Sequence, residues 1–304
     1  MSSGNGSAPP VPADRASGRY TFAHASRSAP FSTVPAVGYR SEDGPPGLHR
    51  GLPSPYLTLI FSFLGPVVCG GTAEQAHGTD AHRAEIVVGG VQDRPAYVVQ
   101  PRREEGIQLS VPPWAARTLL GVPAGELTEL AGDGADILGR EAVELRERLC
   151  AQRDWEERFA TLARHFRRKA DEAEGRTGPR PEIVEAWRWL ARHRGTGSLD
   201  ALADHVALSR RQLTTLFRRE MGASPIRVNR LMRFQQARRE VAAAGVAGAP
   251  RDLSGIAARC GFFDHSHLVR DFRRCTGLSP TGWLAEELRN VQAVGGPLGE
   301  QWNA

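Results

Sequence analysis

Hydrophobic positions change their rhythm twice along the chain. Between Phe31 and Val111 they come in short runs, YLTLIFSFLGPVVC, AEIVVGGVQ, AYVVQP and GIQLSVPP, separated by Gly, Pro and charged residues. Branched and aromatic side chains suit a pleated, half-buried surface, so several such runs at short spacing predict a small antiparallel sandwich or barrel over residues 31–112. Residues 1–30 are rich in Ser, Gly, Ala and Pro without an apolar segment of signal-peptide length, and are expected to be a disordered leader.

Beyond Pro112 the period lengthens. PPWAARTLLGVPAGELTEL reads as a short helix and turn, and GREAVELRERLCAQRDWEERFATLARHFRRKADEA as helix throughout, which gives a helical extension over 113–173. Trp155, Phe159, Leu162 and Phe166 recur at steps of four, three and four and so line one helix face. That stripe needs a cover, either the chain's own sheet or a dimer seam. EGRTGPRP, residues 174–181, is charged, carries Gly and Pro, and reads as a linker.

The last third repeats itself. SLDALADHVALSRRQLTTLFRREMGASP (198–225) and RDLSGIAARCGFFDHSHLVRDFRRCTGLSP (251–280) align Leu213 with Leu268, Phe217 with Phe272, Gly222 with Gly277 and Pro225 with Pro280 at one constant offset. Each copy has the grammar of a helix-turn-helix. Leu202 and Ala203, or Ile256 and Ala257, set an apolar and a small residue on a short first helix, where bulk would hold off the second. The turns VALS and CGFFD follow, with Gly261 supplying backbone freedom, and then Ser209 and Asp264 stand where N-caps belong. Between the copies, SPIRVNRLMRFQQARREVAAAG predicts a helix from about Pro225 to Ala244, bounded by Pro at its start and Gly245 beyond its end.

The second helices carry the candidate chemistry. In the first, Leu213, Leu216 and Phe217 share a core face; Ser209, Arg210, Arg211, Thr214, Thr215 and Arg218 remain for DNA. Arginine can donate two hydrogen bonds to a guanine edge and threonine offers a hydroxyl and a methyl, so Arg211, Thr214 and Thr215 are expected at bases, Arg210 and Arg218 at phosphates. In the second, His265, Ser266, His267 and Arg270 are expected on the DNA side. His265 and His267, two apart on a helix, diverge by roughly 200° and do not form a metal pair; neither metal nor cofactor is expected.

Charge and composition sharpen this picture. The chain has 304 residues, 40% hydrophobic, with 33 Gly and 21 Pro, which favours two domains over a solenoid. Its net charge is only +5, but residues 180–292 hold 19 Arg and no Lys against 11 acidic residues, a net +8 that leaves the remainder at −3. Arginine bias explains Arg over Lys and leaves the segregation unexplained; an acidic partner such as a phosphate backbone accounts for it. Cys69, Cys150, Cys260 and Cys275 lack metal or disulfide-framework spacing, and the apolar run from Tyr56 to Cys69 is too short and too interrupted to span a bilayer, so no membrane and a reducing cytoplasm are expected.

The pattern LA…S…L…F…G.SP…R…A followed by IA…GF.D.SH..R.F…G.SP resembles the DNA-binding domain of the AraC/XylS family of bacterial regulators over residues 182–290. The resemblance implies a seven-helix all-α domain whose reading helices run from Ser209 to Arg218 and from Asp264 to Arg274, with 291–304 a flexible tail. Asp271 beside Arg270 departs from expectation, placing an acid near DNA. Many family members carry a cupin-like sensory domain ahead of this one; here His24, His49, His77 and His82 are scattered, without the clustered His and Glu of a metal cupin. PPGLHRGLPSPYLTLIF, with His49 and Arg50, is either a ligand-facing loop or a structural turn. The expected fold class is therefore α+β, and the expected function a sequence-specific, DNA-binding transcription regulator controlled by a small-molecule effector or by dimerisation. Its partners would be double-stranded promoter DNA, the transcription machinery and a second copy of itself. The alternatives are an alkylation-repair enzyme, for which only Cys69 and Cys150 lie outside the DNA-binding third, and a partner-binding protein that has lost DNA affinity.

Overall fold

The structure, a computed structural model, describes residues 20–26, 30–44, 46–127, 130–175, 178–246 and 252–286. Its β-region comprises β1 (Tyr20–His24), β2 (Ala36–Glu42), β3 (Gly47–Gly51), β4 (Leu57–Ser62), β5 (Val67–Gly70), β6 (His82–Ala84), β7 (Ile86–Gly89), β8 (Ala96–Gln100), β9 (Arg103–Val111) and β10 (Gly132–Asp133). They form a six-stranded sheet in the order β1-β2-β9-β4-β7-β10 and a four-stranded sheet in the order β3-β8-β5-β6. Every pairing is antiparallel.

The expected leader is shorter than the sequence suggested. Tyr20–His24 adds to β2 in the register Tyr20↔Ser41 to His24↔Val37, and residues 1–19 and 27–29 lie outside the described residues. Alternation explains the strand: Tyr20 and Phe22 stack on one face with ring centroids 5.9 Å apart, and the Tyr20 hydroxyl donates to Glu104. Likewise β10 falls beyond the expected strand region, its Asp133 also capping the next helix. The tail 291–304 lies outside the described residues.

Helices follow in the order α1 (Ala73–His77), α2 (Ala116–Leu120), α3 (Gly134–Leu138), α4 (Arg140–Ala151), α5 (Trp155–Glu172), α6 (Pro181–Arg192), α7 (Leu199–His205), α8 (Arg210–Met221), α9 (Pro225–Val246), α10 (Leu253–Arg259) and α11 (His265–Thr276). A further helix runs over 280–286. The stripe on α5 is covered by the chain itself: Phe159, Leu162 and Phe166 are buried, and Phe31 meets Phe159 edge-on at 5.9 Å. Trp155 lies so close over β2 that a Cβ on Gly38 would come within 2.5 Å of its ring. Arg158 of the same helix is buried, donates to the carbonyls of Leu149 and Gln152, and pairs with Glu105 of β9 at 2.5 Å. Burial opposes the Glu105 charge, yet hydrogen bonds from Arg158 and Arg40 hold its carboxyl below the usual range.

Strand alternation gives the larger sheet two unlike faces. Leu57, Leu59, Phe61, Ile107, Leu109 and Val111 face the helices and are all but inaccessible. Their neighbours Thr58, Ile60, Gln108 and Ser110 face the smaller sheet, where a cavity of about 170 Å³ remains.

One apolar core runs from this helix layer into α6, α7, α8 and the first half of α9, joining Trp187, Leu190, Phe217, Met221 and Leu231 to the β-region. Tyr56 meets Trp187 at 5.4 Å, and the 3-10 turn Ala124–Glu126 packs against the end of α8. A second core, containing Phe234, Ala237, Val241, Ile256, Leu268, Phe272 and Trp283, belongs to α9, α10, α11 and the 280–286 helix.

Two outcomes follow from this packing. A Cβ at Gly125 would sit 2.1 Å from the Arg219 carbonyl oxygen, a contact between backbones that no rotamer can relieve. Gly125→Ala is therefore expected to destabilise the fold by about 1–3 kcal/mol, measured as a fall in urea midpoint, and an unchanged midpoint would refute the close approach. Burial, outweighing the nearby Glu141, lowers the His165 imidazole from 6.5 to about 4. The unfolded chain then takes up this proton first, so the stability His165 contributes is complete above pH 6.5 and declines as pH falls towards 4. His165→Gln should flatten the urea midpoint against pH across that window, whereas an equally steep profile would rule out this group.

Candidate nucleic-acid interface

The first pair begins with Ser198, whose hydroxyl accepts from the Ala201 amide to cap α7. Leu202 and Ala203 are buried beneath α8. The chain reverses at Ala207, which takes φ +52°, and the Leu208 amide closes the turn on the Ala203 carbonyl at 3.0 Å. Ser209 then caps α8 through a capping box: its hydroxyl accepts from the Gln212 amide while the Gln212 side chain accepts from the Ser209 amide. Leu213, Phe217 and Met221 go inward; Ser209, Arg210, Arg211, Thr215 and Arg218 are exposed and Thr214 is half-buried, so one face presents all six. Arg210 pairs with Asp200 of α7, which pins it at the start of the helix.

The second pair repeats this construction with one residue more. Asp252 caps α10, Gly261 takes φ +73°, and the Phe262 amide closes on the Ala257 carbonyl at 2.9 Å. Asp264 caps α11, accepting from the His267 amide at 2.6 Å. The extra residue is Phe263, 93% exposed at the mouth of the recognition helix. Comparing VALS with CGFFD could have located it, because the first helices of the two copies match at an offset of 54 and the second helices at 55.

His265, Ser266 and Arg270 are exposed on α11, as the sequence places them. His267 is not on that face. Its Nδ1 accepts from the Phe263 amide at 3.3 Å, its ring meets Phe262 edge-on at 5.2 Å, and its Nε2 lies 3.8 Å from Asp271. The repeat contained the signal: His267 occupies the position of Gln212, the residue that reaches back to the cap in the first copy. Asp271 corrects a second expectation. It is buried, 3.9 Å from Arg230 of α9, and occupies the position of Leu216, so its charge is turned into the domain and not towards DNA. Arg273, the counterpart of Arg218, is exposed and joins the outward cations that sequence reasoning missed.

Neither cysteine outside the last third has the lowered thiol of an activated nucleophile. Cys69 is buried and desolvation raises its thiol to about 11, the reverse of an activated nucleophile. Desolvation also raises Cys150. Among the described residues no group of three His, Cys, Asp or Glu could hold a metal ion, and no helix is long and apolar enough to cross a membrane.

The β-region touches both pairs. Asp93, between β7 and β8, bonds Arg227 at the start of α9 at 3.2 Å and also Arg274 near the end of α11. Arg50 of β3 reaches Glu286 at 3.0 Å. His49 and Arg50 thus sit in a strand, where the sequence allowed a loop, and both line the cavity between the sheets.

Known proteins resemble this chain mainly in its last third. The family model described as a helix-turn-helix domain matches residues 202–286. The arabinose operon regulatory protein of Escherichia coli (strain K12) is 30% identical over 116 residues, 37% of this chain and 38% of that protein, so the chain spans well under half of this relative. Among solved structures, ToxT from Vibrio cholerae aligns over 83% of this chain and 98% of its own, at 11% identity and a TM-score of 0.45. The DNA-binding domain of AdpA, a global transcriptional factor solved with a target DNA, aligns over 36% of this chain and 94% of its own, at 27% identity and a TM-score of 0.32. With two capped helix pairs in tandem and a family match that begins inside the first and ends beyond the second, residues 202–286 form a helix-turn-helix domain.

Proposed function

We propose that this chain is a sequence-specific DNA-binding transcription regulator whose two recognition helices enter successive major grooves of a promoter. The observation that carries this reading is the pairing of α8 and α11, each capped, each anchored by a buried Leu and Phe, and both joined through α9. At 1.5 Å per residue the 22 residues of α9 span about 33 Å, close to the roughly 34 Å between successive grooves on one side of B-DNA.

The two helices contribute unequally. Arg211, Thr214 and Thr215 form the main base-reading set, with Arg218 and, held by Asp200, Arg210 on phosphates. His265, Ser266, Arg270 and Arg273 supply the second contact surface, while His267 fixes the turn that presents it. Charge attraction supplies much of the affinity and base contacts the selection. A β-region that encloses a cavity and touches both pairs supports control by a small-molecule effector. The transcription machinery and a second copy of the chain are the further partners proposed.

Arg211→Ala is expected to cost about 1–3 kcal/mol on the preferred site and to relax selection at a particular base pair. Arg210→Ala should weaken all sequences alike and reduce the dependence of affinity on salt. Site selection from a random duplex library, run on both variants at two salt concentrations, decides between these roles. The assignment fails if the two patterns are exchanged, and α8 is not in the groove if neither variant changes binding.

A further inference from the structure

The turn of the second helix pair presents a side chain that the fold does not use. Phe262 closes that turn: its amide bonds the Ala257 carbonyl, its ring lies 5.4 Å from the Arg233 guanidinium and 5.2 Å from His267, and it is buried. Leu208 stands at the same point of the first turn and packs against the core there. Phe263 is the residue that the second turn has in addition, and it is 93% exposed. A hydrophobic residue just ahead of a cap ordinarily packs on the first turn of its helix, at the position Leu268 holds here. Leu268 is already covered, within the core that contains Phe262.

Lone apolar side chains are common on protein surfaces and by themselves mean nothing. Place and rigidity separate this one. Leu64 and Ile226, the other exposed large hydrophobics among the described residues, lie in the β4–β5 turn and at the start of α9. Phe263 immediately precedes Asp264, the cap of α11, at the end of the helix that in a helix-turn-helix meets base edges. The backbone around it is pinned. The Phe263 amide donates to His267 Nδ1 at 3.3 Å, Arg233 Nη1 donates to the Gly261 carbonyl at 3.2 Å, and Asp264 accepts from the His267 amide at 2.6 Å. A ring held out by a fixed backbone loses little freedom when something covers it.

The surroundings point to the cover. His265, Ser266, Arg270 and Arg273 are exposed on the helix that follows, the Asp264 carboxylate is engaged as a cap, and Asp271 is turned inward. A basic surface with an apolar tip suits a polyanion that carries an apolar group on its base edges. The major groove of DNA presents one such group, the C5 methyl of thymine, and phenylalanine is among the side chains that meet it.

We propose that Phe263 is a specificity-determining residue, whose ring packs on the C5 methyl of one thymine in the half-site read by α11 and selects that base. This rests on the regulator reading above and gives α11 an apolar base contact besides its polar ones.

Replacing thymine by uracil tests it, because uracil keeps every hydrogen-bonding group and lacks the methyl. The full chain first selects a site from a random duplex library, and each thymine of that site is then replaced in turn. One replacement, about ten base pairs from the position relaxed in Arg211→Ala, should weaken the unaltered chain about fourfold, as expected for one buried methyl, and leave Phe263→Ala unaffected. Phe263→Ala should also lose selection for thymine there and keep the thermal midpoint of the unaltered chain. Uracil at a thymine met by Thr214 or Thr215 should weaken both proteins equally, which controls for the rest of the site. Uniform weakening of all sequences by Phe263→Ala, equal sensitivity of the two proteins at every uracil, or a selected half-site without thymine opposite α11 overturns the proposal. Loss of the cooperative thermal transition in Phe263→Ala does so as well, since it would make the side chain structural. A selected site indifferent to uracil sinks this contact alone, whereas a chain that selects no sequence sinks the regulator reading and the contact with it.

Discussion

The arrangement of the DNA-facing surface depends on one constraint, the sharing of α9 between two cores. Val228, Leu231 and Met232 in its first half close the core beneath α8, and Phe234, Ala237 and Val241 in its second half close the core beneath α11. A helix buried over most of its length at both ends acts as a ruler, because its rise per residue is set by backbone hydrogen bonds and hardly stretches. Residues buried in the two cores thereby set the distance between the outer faces of α8 and α11. The half-buried Arg230 of the same helix lies 3.9 Å from the buried Asp271 of α11.

Attachment to the β-region differs between the two pairs, and the difference is physical. The first pair shares a continuous apolar core with the β-region through Trp187, Met221 and Tyr56, and its α8 is fixed by the backbone approach at Gly125. Separating it would expose large apolar side chains to water at about 25 cal/mol per Å². The second pair has its own core and meets the β-region chiefly through Asp93 with Arg274 and Arg50 with Glu286, both partly exposed to solvent. Such ion pairs contribute little net stability and respond to salt and to competing charges. A fragment limited to the last third would consequently keep the second unit's core intact but strip the first of part of its cover.

Much of the DNA-facing half is legible in the sequence because its determinants are local. The capping residues Ser209 and Asp264, the apolar anchors Leu213, Phe217, Leu268 and Phe272, and the boundary at Pro225 each act within a turn or two of the backbone. What was misread depended on comparing the two copies position by position. Asp271 reads as an outward acid from its residue type, yet it stands where the first copy has Leu216, and that alignment predicts an inward side chain. The same comparison turns His267 from a DNA contact into the counterpart of a capping glutamine. The comparison also pairs Ala207 with Gly261, so the φ of +52° at a residue with a Cβ is legible from the glycine in the second copy and is imposed by the turn closing on Ala203.

The β-region was legible only as strands, because sheet order and face depend on pairings between residues far apart in sequence. Alternation predicts that β4 has two faces, but not that one meets helices and the other a second sheet across a cavity. The helix-side face, apolar from Leu57 to Phe166 apart from the Arg158–Glu105 ion pair, is continuous with the core of the first helix pair. The cavity-side face is closed by β3 and by the segment around Gln92 and Arg94, which flank Asp93. The backbone that closes the cavity therefore carries or flanks Arg50 and Asp93, the charged residues that hold the second helix pair.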